Sequence, residues 1–311
     1  MEIIDYHGIS IALVSVDEAA SRHWRSFDEP VDVVRVERPE PAHWPELRSA
    51  GFIPKPQFVT WITDVRGSEE EYFGTLPKRE RQKIRGGRRQ LQAEGLAIEV
   101  AAVDEPLFDS FLKLYEEQIG EMRHGVLMAT EQRELVLEDA DAYRAICAYR
   151  EDVLVGCCIA QPDEGTDIMR VRWSAVAPEY RAMNLPRVLY MEAAELTRRG
   201  GHSGFSLGTD RNLYGHLANP GLYRFKSHLG LVPHPSHFLY PESGYDQADL
   251  VLRLGELTDP TLVLGYADEK PSERLRLHVY SARAEVHLDV YQAPFLHDAR
   301  LHVLEAHAEH V

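Results

Sequence analysis

Lys226 stands in the stretch HLANPGLYRFKSHLG, residues 216–230, four residues before Gly230 and one turn after Tyr223. An apolar run ending in Gly208, Thr209 and Asp210 precedes this stretch, and a second, LVPHPSHFLY, follows it. A lysine on a helix pressed between two buried strands is costly. Either its aliphatic stem carries the ammonium to solvent or the charge has a chemical task. A fixed ammonium in a water-poor cleft stabilises the oxyanion formed when an amine attacks an ester or thioester carbonyl, typically by a few kcal/mol. The attacking amine must also lose a proton, to a side chain, to water or to the substrate itself. Tyr223 is three residues before Lys226, so the two can share a helix face. Asp210 and His216 border the same region and read either as a general base or as polar caps of loops.

A second cluster carries charge rather than nucleophiles. Between Lys78 and Arg89 the chain places seven bases against Glu80, a net +6 in a protein of net −16, so the remainder carries −22. Such a run is a solvated helix face or a docking surface for a polyanion, with Lys78, Arg81, Arg85 and Arg88 as the contacts. The acidic balance elsewhere argues against general nucleic-acid or membrane binding. Cys147, Cys157 and Cys158 show neither a disulfide framework nor metal-ligand spacing. His302, His307 and His310, with Glu305 and Glu309, read as a solvated tail rather than a metal site. The first ten residues, MEIIDYHGIS, have acids where a signal peptide has bases, and no apolar stretch reaches membrane-spanning length. Cytoplasmic residence without membrane insertion is the expectation.

The elements that must position these groups follow from periodicity. Residues 10–16, 31–37 and 57–65 read as strands, 17–27 as a helix, and 43–52 as a helix ending at Gly51. The basic run reads as a helix weakened at Gly86 and Gly87, leading into a short strand. Residues 104–123 have helical spacing behind Asp104 and Pro106. Residues 143–163 form two apolar runs around Arg-Glu-Asp, a hairpin signal. A long strand ending at Pro178, a helix over 185–199, a strand over 202–209, the Lys226 helix and the strand 231–240 complete the series. Beyond residue 240 the runs 249–254, 261–266, 274–280 and 284–291 read as strands.

Helix, hairpin, long strand, helix, strand, helix, strand resembles the order of a GNAT acyltransferase core, over residues 101–240. The stretch VAPEYRAMNLPRVLYMEAAE is similar to the GNAT pyrophosphate segment, in which backbone N–H groups at a helix N-terminus hold the acyl donor. Val176, Pro178 and Arg181 match that pattern; Asn184 and Pro186 replace its two glycines. The basic segment and the Phe225–Lys226 pair are similar to the Fem branch. That kinship implies aminoacyl transfer from aminoacyl-tRNA to an amine, with Phe225 and Lys226 acting in the transfer step. The implied fold is α/β, a GNAT-type mixed sheet flanked by helices. Residues 1–100 would be a reduced GNAT-like unit, 101–240 the acyltransferase core, and 241–311 a strand-rich extension. Catalytic candidates are then Lys226, Phe225 and Tyr223, and substrate-binding ones Lys78, Arg81, Arg85, Arg88, Arg181, Asn184, Asp210 and His216. No tightly bound cofactor is implied. The donor co-substrate is aminoacyl-tRNA or acyl-CoA, and the acceptor an amine-bearing small molecule or peptide of natural-product or cell-wall biosynthesis. A non-catalytic GNAT-like binding protein is the reading from a different class.

Overall fold

The computed structural model describes residues 2–26, 30–163 and 165–304. Two compact units divide the chain: Met1–Trp61, Thr209–Ser227 and Val232–Val311 form the first, Ile62–Gly208 and His228–Leu231 the second. In chain order the elements are β1 (Glu2–Tyr6), β2 (Ile9–Leu13), α1 (Val16–Ala20), β3 (Val33–Glu37), α2 (Trp44–Ser49), β4 (Ile53–Pro56), β5 (Phe58–Asp64), α3 (Glu69–Thr75), α4 (Lys78–Ala93) and β6 (Leu96–Ala102). Then come α5 (Glu105–Gly120), α6 (Met128–Glu131), α7 (Arg133–Glu138), β7 (Arg144–Arg150), β8 (Val153–Pro162), β9 (Ile168–Val176), α8 (Pro178–Arg181), α9 (Leu185–Arg199) and β10 (Gly204–Arg211). The chain closes with α10 (Pro220–His228), β11 (Val232–Pro235), α11 (Ser236–Leu239), β12 (Asp246–Val251), β13 (Thr261–Tyr266), β14 (Leu275–Ser281) and β15 (Leu296–Val303).

In the second unit the strand order β10-β9-β8-β7-β6 is mixed: β10 runs parallel to β9 and the remaining neighbours are antiparallel. Helix α5 covers one face, with Phe108, Phe111, Leu112 and Tyr115 in a core shared with Ile159 and Trp173. Asp104 caps it by accepting from the Leu107 N–H, with Pro106 in its first turn. The expected α/β mixed sheet with flanking helices is thus present. Helix α4 is unbroken through Gly86 and Gly87. Packing accounts for the glycine at 87: a Cβ there would lie 3.1 Å from the Met183 carbonyl oxygen and 3.2 Å from Asn184 Cβ. That glycine permits close approach of α4 to the start of α9.

The first unit holds a five-stranded sheet, β1-β2-β3-β12-β4, and a three-stranded one, β13-β14-β15. Several local readings are corrected here. Residues 17–27 are not one helix: α1 stops at Ala20 behind a Ser15–Glu18 capping box, and a 3₁₀ turn follows at His23–Ser26; residue 27 lies outside the described residues. Strand β1 escaped notice; its two-residue turn has positive φ at His7 and Gly8, the hairpin geometry that twists with the strands. Strand β4 was hidden by Pro54 and Pro56, which an edge strand tolerates because alternate N–H groups face away from the partner. Helix α3, behind a Ser68–Glu71 capping box, was also missed. Residues 284–291 are not a strand; Leu288–Tyr291 is a 3₁₀ turn and the final strand is β15. Only the first part of 231–240 is extended, before α11. Of the histidine-rich tail, 305–311 lies outside the described residues.

Asn212 ties the segment after β10 into the first unit. Its Nδ2 donates to the Pro56 carbonyl (2.9 Å) and the Leu264 carbonyl (2.7 Å), and its Oδ1 accepts from the Leu264 N–H (2.8 Å). The side chain is 1% exposed. Asn212→Ala leaves three buried backbone groups unpaired, and urea unfolding should show a loss of about 3 kcal/mol. A loss below about 1 kcal/mol would show that this staple does not hold the segment.

Candidate active site

Helix α10 starts where Asn219 accepts the Leu222 N–H on its side-chain oxygen (2.9 Å), with Pro220 in the first turn. Its buried face is Tyr223, Lys226 and Ser227. Lys226 does not reach solvent. It is 4% exposed, and its ammonium donates to Asp210 Oδ1 at 2.7 Å; Asp210 is 8% exposed. Asp210 Oδ2 accepts from the Tyr214 hydroxyl at 3.2 Å, and that hydroxyl accepts from Trp61 Nε1 at 2.9 Å. Asp210 is therefore the counter-ion of Lys226, with both oxygens engaged. Burial, with the adjacent Asp210 charge adding to it and the Trp61 N–H opposing, pushes the Tyr214 phenol well up, so it remains a proton donor.

Trp61, Tyr214 and Tyr223 pack edge to face, with Tyr223 5.7 Å from each of the other two rings, and Phe295 5.8 Å from Trp61. Tyr223 donates its hydroxyl to the Tyr291 carbonyl at 2.9 Å, so it shares the helix face with Lys226 as a wall of the site. Phe225 is half-buried. His216 lies apart from the Asp210 network, with Nε2 bonded to the His7 carbonyl at 3.0 Å; the acceptor is a carbonyl, so that nitrogen carries the hydrogen. The aromatic wall lowers the local dielectric and strengthens both the pair and any charge formed beside it. An ammonium has three donors, and among the described residues Asp210 is its one partner. Two of its N–H groups have no partner among the described residues.

Sequence reasoning named Lys226, Asp210 and Tyr223 but missed Trp61 and Tyr214. Tyr214 carries a weak signal, four residues after Asp210. Trp61 carries none, because an apolar strand gives no hint of which residue turns an N–H toward a partner.

The second unit contains the segment that resembles a pyrophosphate cradle. Asn184 is left-handed, φ 62°, as a residue replacing a glycine there must be. Arg181 is folded back on the Val176 carbonyl (2.8 Å) and Glu121 (2.6 Å). The buried carboxylate of Glu80, 1% exposed, pairs with Arg187 in the first turn of α9 and with Lys83. Pro186 lacks an N–H, Gly87 of α4 packs on Asn184, and Glu80 with its partners Arg187 and Lys83 lies beside the turn.

The basic helix in this unit sorts by face. Glu80, Ile84, Gly87 and Leu91 are buried. Arg88 is held by Glu69 and by Glu192, and Arg81 reaches the Gly74 carbonyl at 3.4 Å. Lys78, Gln82, Arg85 and Arg89 form an exposed stripe at i, i+4, i+7 and i+11. Arg85 lies 5.0 Å from the Phe73 ring, and Gln82, Arg85, Arg88 and Arg89 line a cavity of about 500 Å³.

Residues 78–227 match the acetyltransferase (GNAT) domain family, and Lys226 lies inside the matched span. The chain carries a GNAT domain and is an acyltransferase. No curated protein sequence matches it. Among solved structures it is similar to FemX, 11% identical over 78% of this chain and 81% of that one, with a TM-score of 0.46. It is also similar to L-PGS from Bacillus licheniformis, 12% identical over 79% of each chain, with a TM-score of 0.43. A third similar structure is a tandem GNAT protein from the clavulanic acid biosynthesis pathway, 12% identical over 76% of this chain and 68% of that one, with a TM-score of 0.38. No described helix is long and apolar enough to cross a membrane.

Because Lys226 and Asp210 are buried together, removing either strands the other. K226M and D210N should each lower stability by about 3 kcal/mol or more. K226M/D210N together should recover at least half of the summed loss. Additive losses in chemical denaturation would show that the two charges are not coupled. Isothermal titration with coenzyme A should show no low-micromolar binding, and a low-micromolar dissociation constant would show that the α9 turn accepts the pyrophosphate after all.

Proposed function

We propose that this acyltransferase forms an amide by moving an aminoacyl group from aminoacyl-tRNA to an amine on a small molecule or peptide. The observation that carries the reading is the buried Lys226 ammonium, held by Asp210 with two N–H donors to spare. The acceptor nitrogen attacks the ester carbonyl, the C–N bond forms, and negative charge develops on the carbonyl oxygen. Lys226 stabilises that charge, and Asp210 keeps the ammonium oriented without leaving a lone cation buried. The C–O bond then breaks, and the proton lost by the amine ends on the departing ribose oxygen. In this scheme Tyr223 and Phe225 exclude water beside the lysine.

Two features favour a tRNA donor over acyl-CoA. Pro186 and Gly87 oppose a pyrophosphate at the start of α9, and Glu80 already engages Arg187 there. The stripe of Lys78, Arg85 and Arg89, without carboxylate partners among the described residues, offers its cations to a phosphate backbone. Arg88, tied to two carboxylates, is the weaker contact of the set.

The direct trial incubates the purified protein with charged tRNA or acyl-CoA and a panel of amines. Amide from charged tRNA alone is the expected result. Product from acyl-CoA alone would make it an ordinary N-acyltransferase, and product from neither would favour the non-catalytic binding reading. Three phosphate contacts should give a log–log salt slope of about −2 for tRNA binding. Replacing Lys78, Arg85 and Arg89 with Ser should flatten that slope and weaken binding; an unchanged slope would remove the stripe from the docking surface.

A further inference from the structure

Arg211 directly follows Asp210, yet the Lys226 network does not use it. Its guanidinium lies 5.0 Å from the Tyr6 ring centroid and 5.1 Å from that of Phe58. Two aromatic faces thus fix the guanidinium, and its N–H edges stay outside the clamp. The side chain is exposed, and among the described residues no carboxylate pairs with it. Tyr6 offers a second sign: its hydroxyl is buried and has no hydrogen-bond partner among the described residues. A buried hydroxyl without a partner is rare and calls for a ligand or a water.

Charge balance points the same way. On the sheet of the first unit, Arg35 and Lys55 share one carboxylate, Asp249, at 2.8 and 3.2 Å. Lys55 is 1% exposed. Burial draws its ammonium down to about 8 against the pull of Asp249, and both Arg35 and Arg211 add to the lowering. Burial raises the Tyr6 phenol, while Arg211 and Arg35 oppose. Arg211, Arg35, Lys55 and Tyr6 are therefore neighbours in electrostatic reach. Three cations face one carboxylate, an excess of two; counting Glu37, which also acts on Arg35, the excess is one. In a chain of net −16, a local surplus of positive charge beside an unused hydroxyl is the signature of an anion site.

We propose that Arg211 and Tyr6 hold a phosphate group of a substrate, with Arg35 and Lys55 supplying the positive field behind them. The guanidinium fork gives bidentate N–H donors to two oxygens and Tyr6 adds an O–H. Surplus charge favours a phosphate over a carboxylate. A phosphorylated acceptor and a nucleic-acid phosphate both present this group. Because Asp210 is the adjacent residue, the bound phosphate would fix the substrate's register relative to Lys226.

The test is binding alone, so it stands or falls apart from the transfer reaction. Inorganic phosphate is titrated into the full chain at constant ionic strength, by calorimetry and thermal shift, with acetate as the parallel arm. Saturable phosphate binding is expected, at least ~10-fold tighter than acetate, the size of one lost charge-assisted contact. R211Q should weaken it ~10-fold or more while the melting temperature without phosphate stays unchanged, since the side chain is exposed. R211K keeps a stacked cation but loses the fork, and should lose most of the affinity too. Y6F should lose a smaller part. Equal phosphate affinity in R211Q or R211K, acetate binding as well as phosphate, or no saturable binding overturns the proposal.

Discussion

A buried ammonium needs a buried carboxylate, and the Lys226–Asp210 pair sets the terms for the rest of the first unit. Desolvating both charges costs several kcal/mol each, and only close geometry and further hydrogen bonds offset it. The 2.7 Å contact supplies the first, and the Trp61–Tyr214–Asp210 chain the second. Each part needs its own support. Asn219 and Pro220 start the helix that carries Lys226. Asn212 fixes the segment that carries Asp210 and Tyr214. The proposed function follows from the same balance of charge: a cation that is already neutralised and oriented needs little reorganisation when an oxyanion appears beside it.

In the proposed function, the α4–α9 packing in the second unit sets the donor preference from structure rather than from a binding residue. In the GNAT pattern a helix N-terminus is left open for phosphate. Here a glycine lets α4 close on that turn, and Glu80 brings a carboxylate where the helix dipole favours an anion. Among the described residues, Lys78, Arg85 and Arg89 on the outer stripe of α4 have no carboxylate partner.

Long, strongly periodic elements were legible in the sequence: α5 from its cap and spacing, α9 from its apolar face and terminal arginines, the β7–β8 hairpin from its turn. Short elements were not. Strand β4 looks like a loop because of two prolines that only an edge position excuses, and the β1–β2 turn needs His7 in a left-handed conformation that residue type does not announce. Lys226 was visible as an anomaly, a charge where apolar residues belong. Its partner was visible only as a residue of the right type nearby, because sixteen positions of sequence separation say nothing about which oxygen the ammonium meets. Trp61 and Arg211 were not legible at all, since their roles arise from rings and strands brought together by the fold.

The most direct measurement is the single-turnover rate of amide formation by K226M/D210N, with its melting temperature checked first. This variant removes the ammonium without leaving a buried charge unpaired. The account predicts a folded protein that still binds donor but transfers ~10²-fold or more slowly, the loss associated with one oxyanion donor. A folded double variant that transfers at the parent rate would show that the buried pair serves the fold alone and that the oxyanion is stabilised elsewhere.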